Sequence, residues 1–301
     1  MLQRSPDRST RLWAALAAPG IGWLLAFFLA PLYVVLAIVF GRVDPLFRTA
    51  VPVWNPLEWN PTQFTYVLSR IGPDGVYFPA ILRTVGYVGV ASVLCLAIAF
   101  PVAYYVSRLA GKRKGVLIAL LIAPFWISYM MRMLAWVNLL QNDGLVSRLL
   151  NFGGLFDVHV DWLTGQPVVV MLGLAYGYVP YMILPLYAGL DRLSQSMLEA
   201  SRDLGASRVS SFLRVTLPLC RPTILAAVLL TCLPMLGDYF TNDLLSASPK
   251  TAMVGNLIND SVQAPGQTGQ AGAFVMLVLV ATILPMLYYV RTTLRSDEVK
   301  T

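Results

Sequence analysis

LEASRDLGASRVSSFLRVTLP, residues Leu198–Pro218, is polar and carries Glu199, Arg202, Asp203, Arg208 and Arg214, yet long apolar runs lie on both sides of it. A charged segment between two membrane spans has to sit in water, on the face that the flanking basic residues select. Ser196 with Glu199 three residues on has the form of a capping box and predicts a helix start there. Gly205 ends that turn or lets another backbone approach closely. Ser207 offers a cap for a second helix over 208–215, and Pro218 is expected to begin the climb into the next span. The alternating Leu198, Ala200, Arg202, Leu204 and Ala206 give no clean amphipathic face, which predicts a helix covered on both sides. Such a segment is either an ordinary surface loop or a docking surface.

Composition narrows the class. Of 301 residues, 57% are hydrophobic and 12% charged, against roughly a quarter charged in soluble domains, so this is a membrane chain. Its net charge of +7 would point to nucleic acid in a soluble protein, but here the basic residues orient spans instead. Cys95, Cys220 and Cys232 are too scattered for a metal site or a disulfide framework, and the sole histidine, His159, excludes a histidine triad. No phosphate-loop motif occurs, so ATP is not bound by that route. No cofactor, no metal and no catalytic residue are expected.

The apolar runs predict an all-α integral membrane protein with six transmembrane helices: about 13–40, 79–106, 116–140, 166–190, 219–240 and 269–290. The first is too long for a secretory signal's apolar core of roughly 7–15 residues and is expected to be retained. Residues 1–78 then hold the first span and a long outer loop rich in Pro and Trp. Residues 79–291 form the core with a cytoplasmic loop over 191–218, and 292–301 are a tail. Arg4, Arg8, Arg11, Arg108, Lys112, Arg113, Lys114, Arg192, Arg202, Arg208, Arg214, Arg221, Arg291, Arg295 and Lys300 fall on one side, which places both termini and the 191–218 loop in the cytoplasm. Outside, acids (Asp44, Glu58, Asp74, Asp143, Asp157, Asp161, Asp243, Asp260) outnumber the bases Arg42, Arg48, Arg70, Arg148 and Lys250. They either draw cations to the mouth of a path or simply solubilise loops.

Besides Arg83 and Arg221 near the ends of their spans, two charges lie deeper within them. Arg132 falls some 17 residues into the third, ~25 Å from the cytoplasmic face at 1.5 Å per residue, and is expected to snorkel at the outer interface. Asp238, in Pro234-Met-Leu-Gly-Asp-Tyr239, sits where Pro234 and Gly237 loosen a helix. It is either an intramembrane ion-binding carboxylate or a helix-terminal acid in water. Trp126, Tyr129, Trp136, Tyr176, Tyr178, Tyr181, Tyr239 and Phe240 cluster at similar levels, as an interfacial belt or as faces for an ammonium group.

The central loop resembles the coupling loop of binding-protein-dependent ABC importer permeases, which reads Glu-Ala-Ala, three residues, Gly, nine residues, Ile-x-Leu-Pro. Here Glu199-Ala200-Ser201 precedes Gly205, and Val215-Thr216-Leu217-Pro218 follows nine residues later. Ser201 and Val215 depart from the pattern while keeping size or hydrophobicity. The resemblance implies a type I ABC importer permease fold in the cell membrane. The loop residues Glu199, Ala200, Ser201, Asp203, Gly205, Ala206, Leu217 and Pro218 would couple to an ATP-binding cassette ATPase dimer.

MMRMLAWVNLLQNDGLVSRLL, YVPYMILPLYAGL and GDYFTNDLL, with MVGNLIND, are similar to spermidine/putrescine permease subunits, in which the position of Asp238 commonly carries Glu. This implies a second homologous permease subunit, an extracytoplasmic substrate-binding protein and a polyamine or other small cationic solute, with Asp238, Tyr239, Trp136, Tyr176 and Tyr178 on its path. Permeases of the same architecture that carry thiamine, iron, sulfate or sugar form the alternative. A proton-coupled carrier lacks the ionisable relays it would need; a membrane enzyme lacks a nucleophile with its base.

Overall fold

The structure, a computed structural model, describes residues 8–151 and 161–298; the expectations for Arg4, Asp157, His159 and Lys300 lie outside these residues. The chain divides into two compact units, one of residues 1–72 and 258–275, the other of 73–257 and 276–301.

In the first unit, α1 (Arg8–Val39) is a 32-residue helix whose stretch Ala15–Val39 is long and apolar enough to cross a membrane. The loop after it is structured. Two short strands, β1 (Arg42–Val43) and β2 (Ala50–Val51), pair antiparallel around a turn in which Asp44 Oδ1 accepts the amides of Leu46 and Phe47. Those bonds, Phe47's first, hold the exposed Asp44 carboxyl below its ordinary value. Trp59 stacks on Phe40 with ring centroids 5.0 Å apart and donates to the Val53 carbonyl, ahead of α2 (Thr62–Ser69).

The second unit is built on α3 (Phe78–Arg108), and α4 (Lys114–Ile122), α5 (Tyr129–Leu140) and α6 (Leu145–Asn151) follow it. Next come α7 (Pro167–Asp191), α8 (Gln195–Asp203), α9 (Arg208–Ser211), α10 (Leu217–Leu236) and α11 (Phe240–Leu245). The helices α12 (Val254–Gln263) and α13 (Thr268–Glu298) each run through both units. Its core is a ridge against a groove. Ala91, Cys95, Ala99 and Ala103 recur every four residues on α3 and are fully buried. These small side chains admit the buried ridge Val170, Leu174, Tyr178, Met182, Leu186 and Leu190, also spaced by four on α7.

Among the described residues five helices are long and apolar enough to span. The sixth expected span, over 116–140, is not straight: the helical segments 111–126 and 129–149 meet at 86°. Pro124 lies in a tightened 3-10 turn, Ala123–Trp126, and Ile127 and Ser128 are extended, so the α-helical ladder stops and restarts at Tyr129. The rise-per-residue depth expected for Arg132 therefore does not hold. Far from snorkelling, Arg132 is only 6% exposed.

The fifth span also differs from its expected bounds. Helical structure runs from Arg208 to Leu236 without a break at Pro218. Residues Phe212–Thr216 form a wide π turn in which the Leu217 amide reaches the Phe212 carbonyl. Such a turn accommodates the missing donor of Pro218, so that proline does not start the span.

Candidate functional site

The polar loop folds as a hairpin of short helices. The Ser196–Glu199 capping box does not form: α8 starts earlier, at Gln195 after Ser194, and Ser196 lies inside its first turn. The C-terminal signal does hold. Gly205 has φ +85°, and the amides of Gly205 and Ala206 bond back to the carbonyls of Arg202 and Ser201 at 2.8 and 3.1 Å. That left-handed turn is the ordinary glycine close of a helix. Ser207 Oγ accepts the Ser210 amide at 3.2 Å and caps α9. Ser201 and Ser211 hydroxyls meet at 2.6 Å, pinning α8 to α9. Ser201 therefore has a structural use at the position where it departs from the family pattern.

The expected covering of α8 on both sides is not present within the chain. Glu199, Ala200, Asp203 and Gly205 are exposed, and Leu204 is 89% exposed. Ser201, Ala206, Leu217 and Pro218 are half-buried. Glu199 makes no hydrogen bond to the loop's own backbone among the described residues. At the base of the hairpin, Arg108 donates to the carbonyls of Leu190 and Leu193 at 2.8 and 2.9 Å. Lys114 pairs with Asp191 at 2.6 Å. These bonds tie the end of α7, and so the approach to α8, to α3 and α4.

The second site surrounds Asp238. Gly237 ends α10, so Asp238 lies in the link to α11 and not within the span. It is 6% exposed, which excludes a helix-terminal acid in water. One carboxylate oxygen accepts from the Tyr129 hydroxyl at 2.7 Å, from Tyr178 at 2.9 Å and from Thr241 at 3.0 Å. The other accepts the amide of Thr241, in the first turn of α11, at 2.9 Å. Four donors satisfy the charge without a basic partner among the described residues.

Tyr178 is buried and Tyr129 half-buried, their rings 5.4 Å apart. Tyr129 reaches this place because α7 carries Gly177, where a Cβ would collide with the Tyr129 ring. Gly177 is not among the residues singled out from the sequence; a glycine inside a transmembrane run is the signal that could have found it.

Of the residues expected on a solute path, the structure brings Asp238 and Tyr178 together. Trp136 and Tyr176 meet edge to face at 5.5 Å on a separate cavity. Tyr239 stacks on Phe240 and joins neither group.

The family described as "Binding-protein-dependent transport system inner membrane component" matches residues 96–294, from within α3 to within α13. The chain belongs to that family. It is an inner-membrane, multi-pass permease component of an ABC importer.

This permease is 28% identical over 282 residues to "Spermidine/putrescine transport system permease protein PotB" of Escherichia coli (strain K12), covering 93% of this chain and 98% of that protein. The protein of the same name from Haemophilus influenzae is 31% identical over 280 residues, with 92% and 93% covered. Among solved structures, a bacterial alginate ABC transporter in complex with an alginate pentasaccharide-bound periplasmic protein superposes with a TM-score of 0.70. The identity is 17% and the coverage 94% of this chain and 93% of that one. The MetNI methionine ABC transporter gives a TM-score of 0.53 at 17% identity, covering 71% and 92%. These structural likenesses carry the fold alone.

Proposed function

We propose that this permease imports a polyamine into the cytoplasm as one half of a heteromeric pore. The observation that carries the solute class is the match, over more than nine-tenths of both chains, to the E. coli and H. influenzae relatives named for spermidine and putrescine. Asp238 supports it: its buried carboxylate, held by hydroxyl and amide donors with no basic partner among the described residues, sits at a helix break where an ammonium group can replace a hydroxyl donor.

In this reading ATP is hydrolysed on a separate ATPase dimer, a second homologous permease completes the pore, and an extracytoplasmic binding protein delivers the solute. The alginate transporter of similar fold, solved in complex with a pentasaccharide-bound periplasmic protein, supports that last part. Both termini and the α8–α9 hairpin face the cytoplasm, following the distribution of basic residues. Glu199, Ala200, Ser201, Asp203, Gly205 and Ala206 present the surface that meets the ATPase. Leu217 and Pro218 join that surface to the span through the π turn. ATP and solute need only favour different conformations for the cycle to run.

The test is reconstitution of the permease with its partner subunits in liposomes containing ATP. Uptake of radiolabelled spermidine that depends on both ATP and the binding protein is the expected result. Uptake of thiamine, sulfate or a sugar with none of spermidine would replace the polyamine; solute flux through this chain by itself would remove the importer scheme.

A further inference from the structure

A cavity of about 420 Å³ opens between α3, α4, α5 and α7, within the size range of small-ligand sites, roughly 300–1,000 Å³. Leu94, Leu120, Trp136, Leu172, Tyr176 and their neighbours make its wall, and every lining side chain but one is apolar or aromatic. The exception is Arg132. It is 6% exposed, forms no ion pair among the described residues, and its Nε has no hydrogen-bond partner. Its other contacts are weak: a 3.4 Å bond from one terminal nitrogen to the Gly177 carbonyl, and the Tyr129 ring 5.5 Å away. The buried acid on the far side of Tyr129, Asp238, already receives four donors.

Gly177 lies ten residues into the 25-residue α7, which puts Arg132 beside the middle of that helix. A guanidinium held there without an anion is costly, and its planar fork is shaped for a carboxylate or phosphate.

We infer that this cavity is a binding site for an amphiphilic anion, its carboxylate or phosphate on Arg132 and its apolar body against Trp136, Tyr176 and Leu172. The site is distinct from the proposed polyamine position, because Asp238 is not among the residues that line this cavity. A solute taken from water and a fatty acid taken from the membrane share this chemistry.

The test uses the assembled importer in lipid nanodiscs. Radiolabelled 3-phenylpropionate is expected to bind saturably, and 3-phenylpropylamine about ten-fold or more weakly. Arg132→Gln should remove that preference and Arg132→Lys should keep it. Leu172→Trp, which fills the cavity and leaves the arginine in place, should abolish binding even if Arg132→Gln fails to assemble. ATP-dependent accumulation of 3-phenylpropionate in vesicles would identify a solute site. Oleate that co-purifies with the wild type and is absent from Leu172→Trp would identify a membrane amphiphile. Absence of saturable carboxylate binding, or equal binding of the amine, would overturn the proposal, and so would a partner subunit that leaves the cavity filled. Spermidine uptake by the same preparation is read separately, so failure of the anion site and failure of the polyamine reading are told apart.

Discussion

The Tyr129 hydroxyl donates to the Asp238 carboxylate at 2.7 Å, joining the helix that restarts after the broken span to the end of α10. Asp238→Ala would strand that hydroxyl, the Tyr178 hydroxyl and the Thr241 amide in a buried site. The expected cost is about 2–4 kcal/mol, seen as a lowered unfolding midpoint of the purified complex. Asp238→Asn keeps an acceptor and should retain most of the stability while losing uptake of a cationic solute. Unchanged uptake kinetics in the Asn variant would take Asp238 off the path and leave it a structural pin.

Gly177→Ala tests the same cluster from the other side. The new methyl would press on the Tyr129 ring, which is packed and cannot swing freely. A loss of about 1–3 kcal/mol is expected. Tyr129→Leu in the same chain should recover part of it, because the two effects are coupled. Additive losses would show that the cost of the new methyl does not pass through the Tyr129 ring.

For the hairpin, the prediction separates strain from contact. At Gly205 a side chain would meet open space, but φ +85° strains any other residue, by about 1–2 kcal/mol. Gly205→Asp and Glu199→Lys are both expected to abolish uptake while the chain still inserts. Glu199→Lys should leave stability unchanged because the side chain is exposed. Full transport and normal ATPase coupling in either variant would refute a docking role for α8.

The base of the hairpin offers a comparison of two cations. Lys114→Met removes an ion pair whose side chains are 34% and 37% exposed, and should cost at most about 1 kcal/mol. Arg108→Met strips two carbonyls at the end of α7 of a charged donor and should cost about 2–3 kcal/mol. Melting of the two variants in detergent decides the ranking; equal effects would mean that the Leu190 and Leu193 carbonyls find other donors.

Much of this molecule can be read from its sequence. Five spans follow from apolar length, and Gly205 and Ser207 announce a helix stop and a helix start because their chemistry is local. Asp238 stands out as an acid next to Pro234 and Gly237. What escapes is non-local. The break after Trp126 depends on backbone turning that Pro124 permits but does not dictate. Arg132 looks interfacial when residues are counted along a straight helix, and becomes interior once the helix bends by 86°. Tyr129 is an ordinary aromatic until Gly177, 48 positions later in the chain, is known to lie against it. Ser196 has the spacing of a capping box, but α8 begins one residue earlier and leaves it inside the first turn.

The wide turn at Phe212–Thr216 holds one surplus residue relative to a regular helix. That turn takes up the extra residue by itself, so the helix on either side keeps nearly the phase of an unbroken one. Deleting one residue there would restore a uniform helix with the α8–α9 hairpin close to its present azimuth, whereas deleting one from α10 would swing the whole hairpin by about 100°.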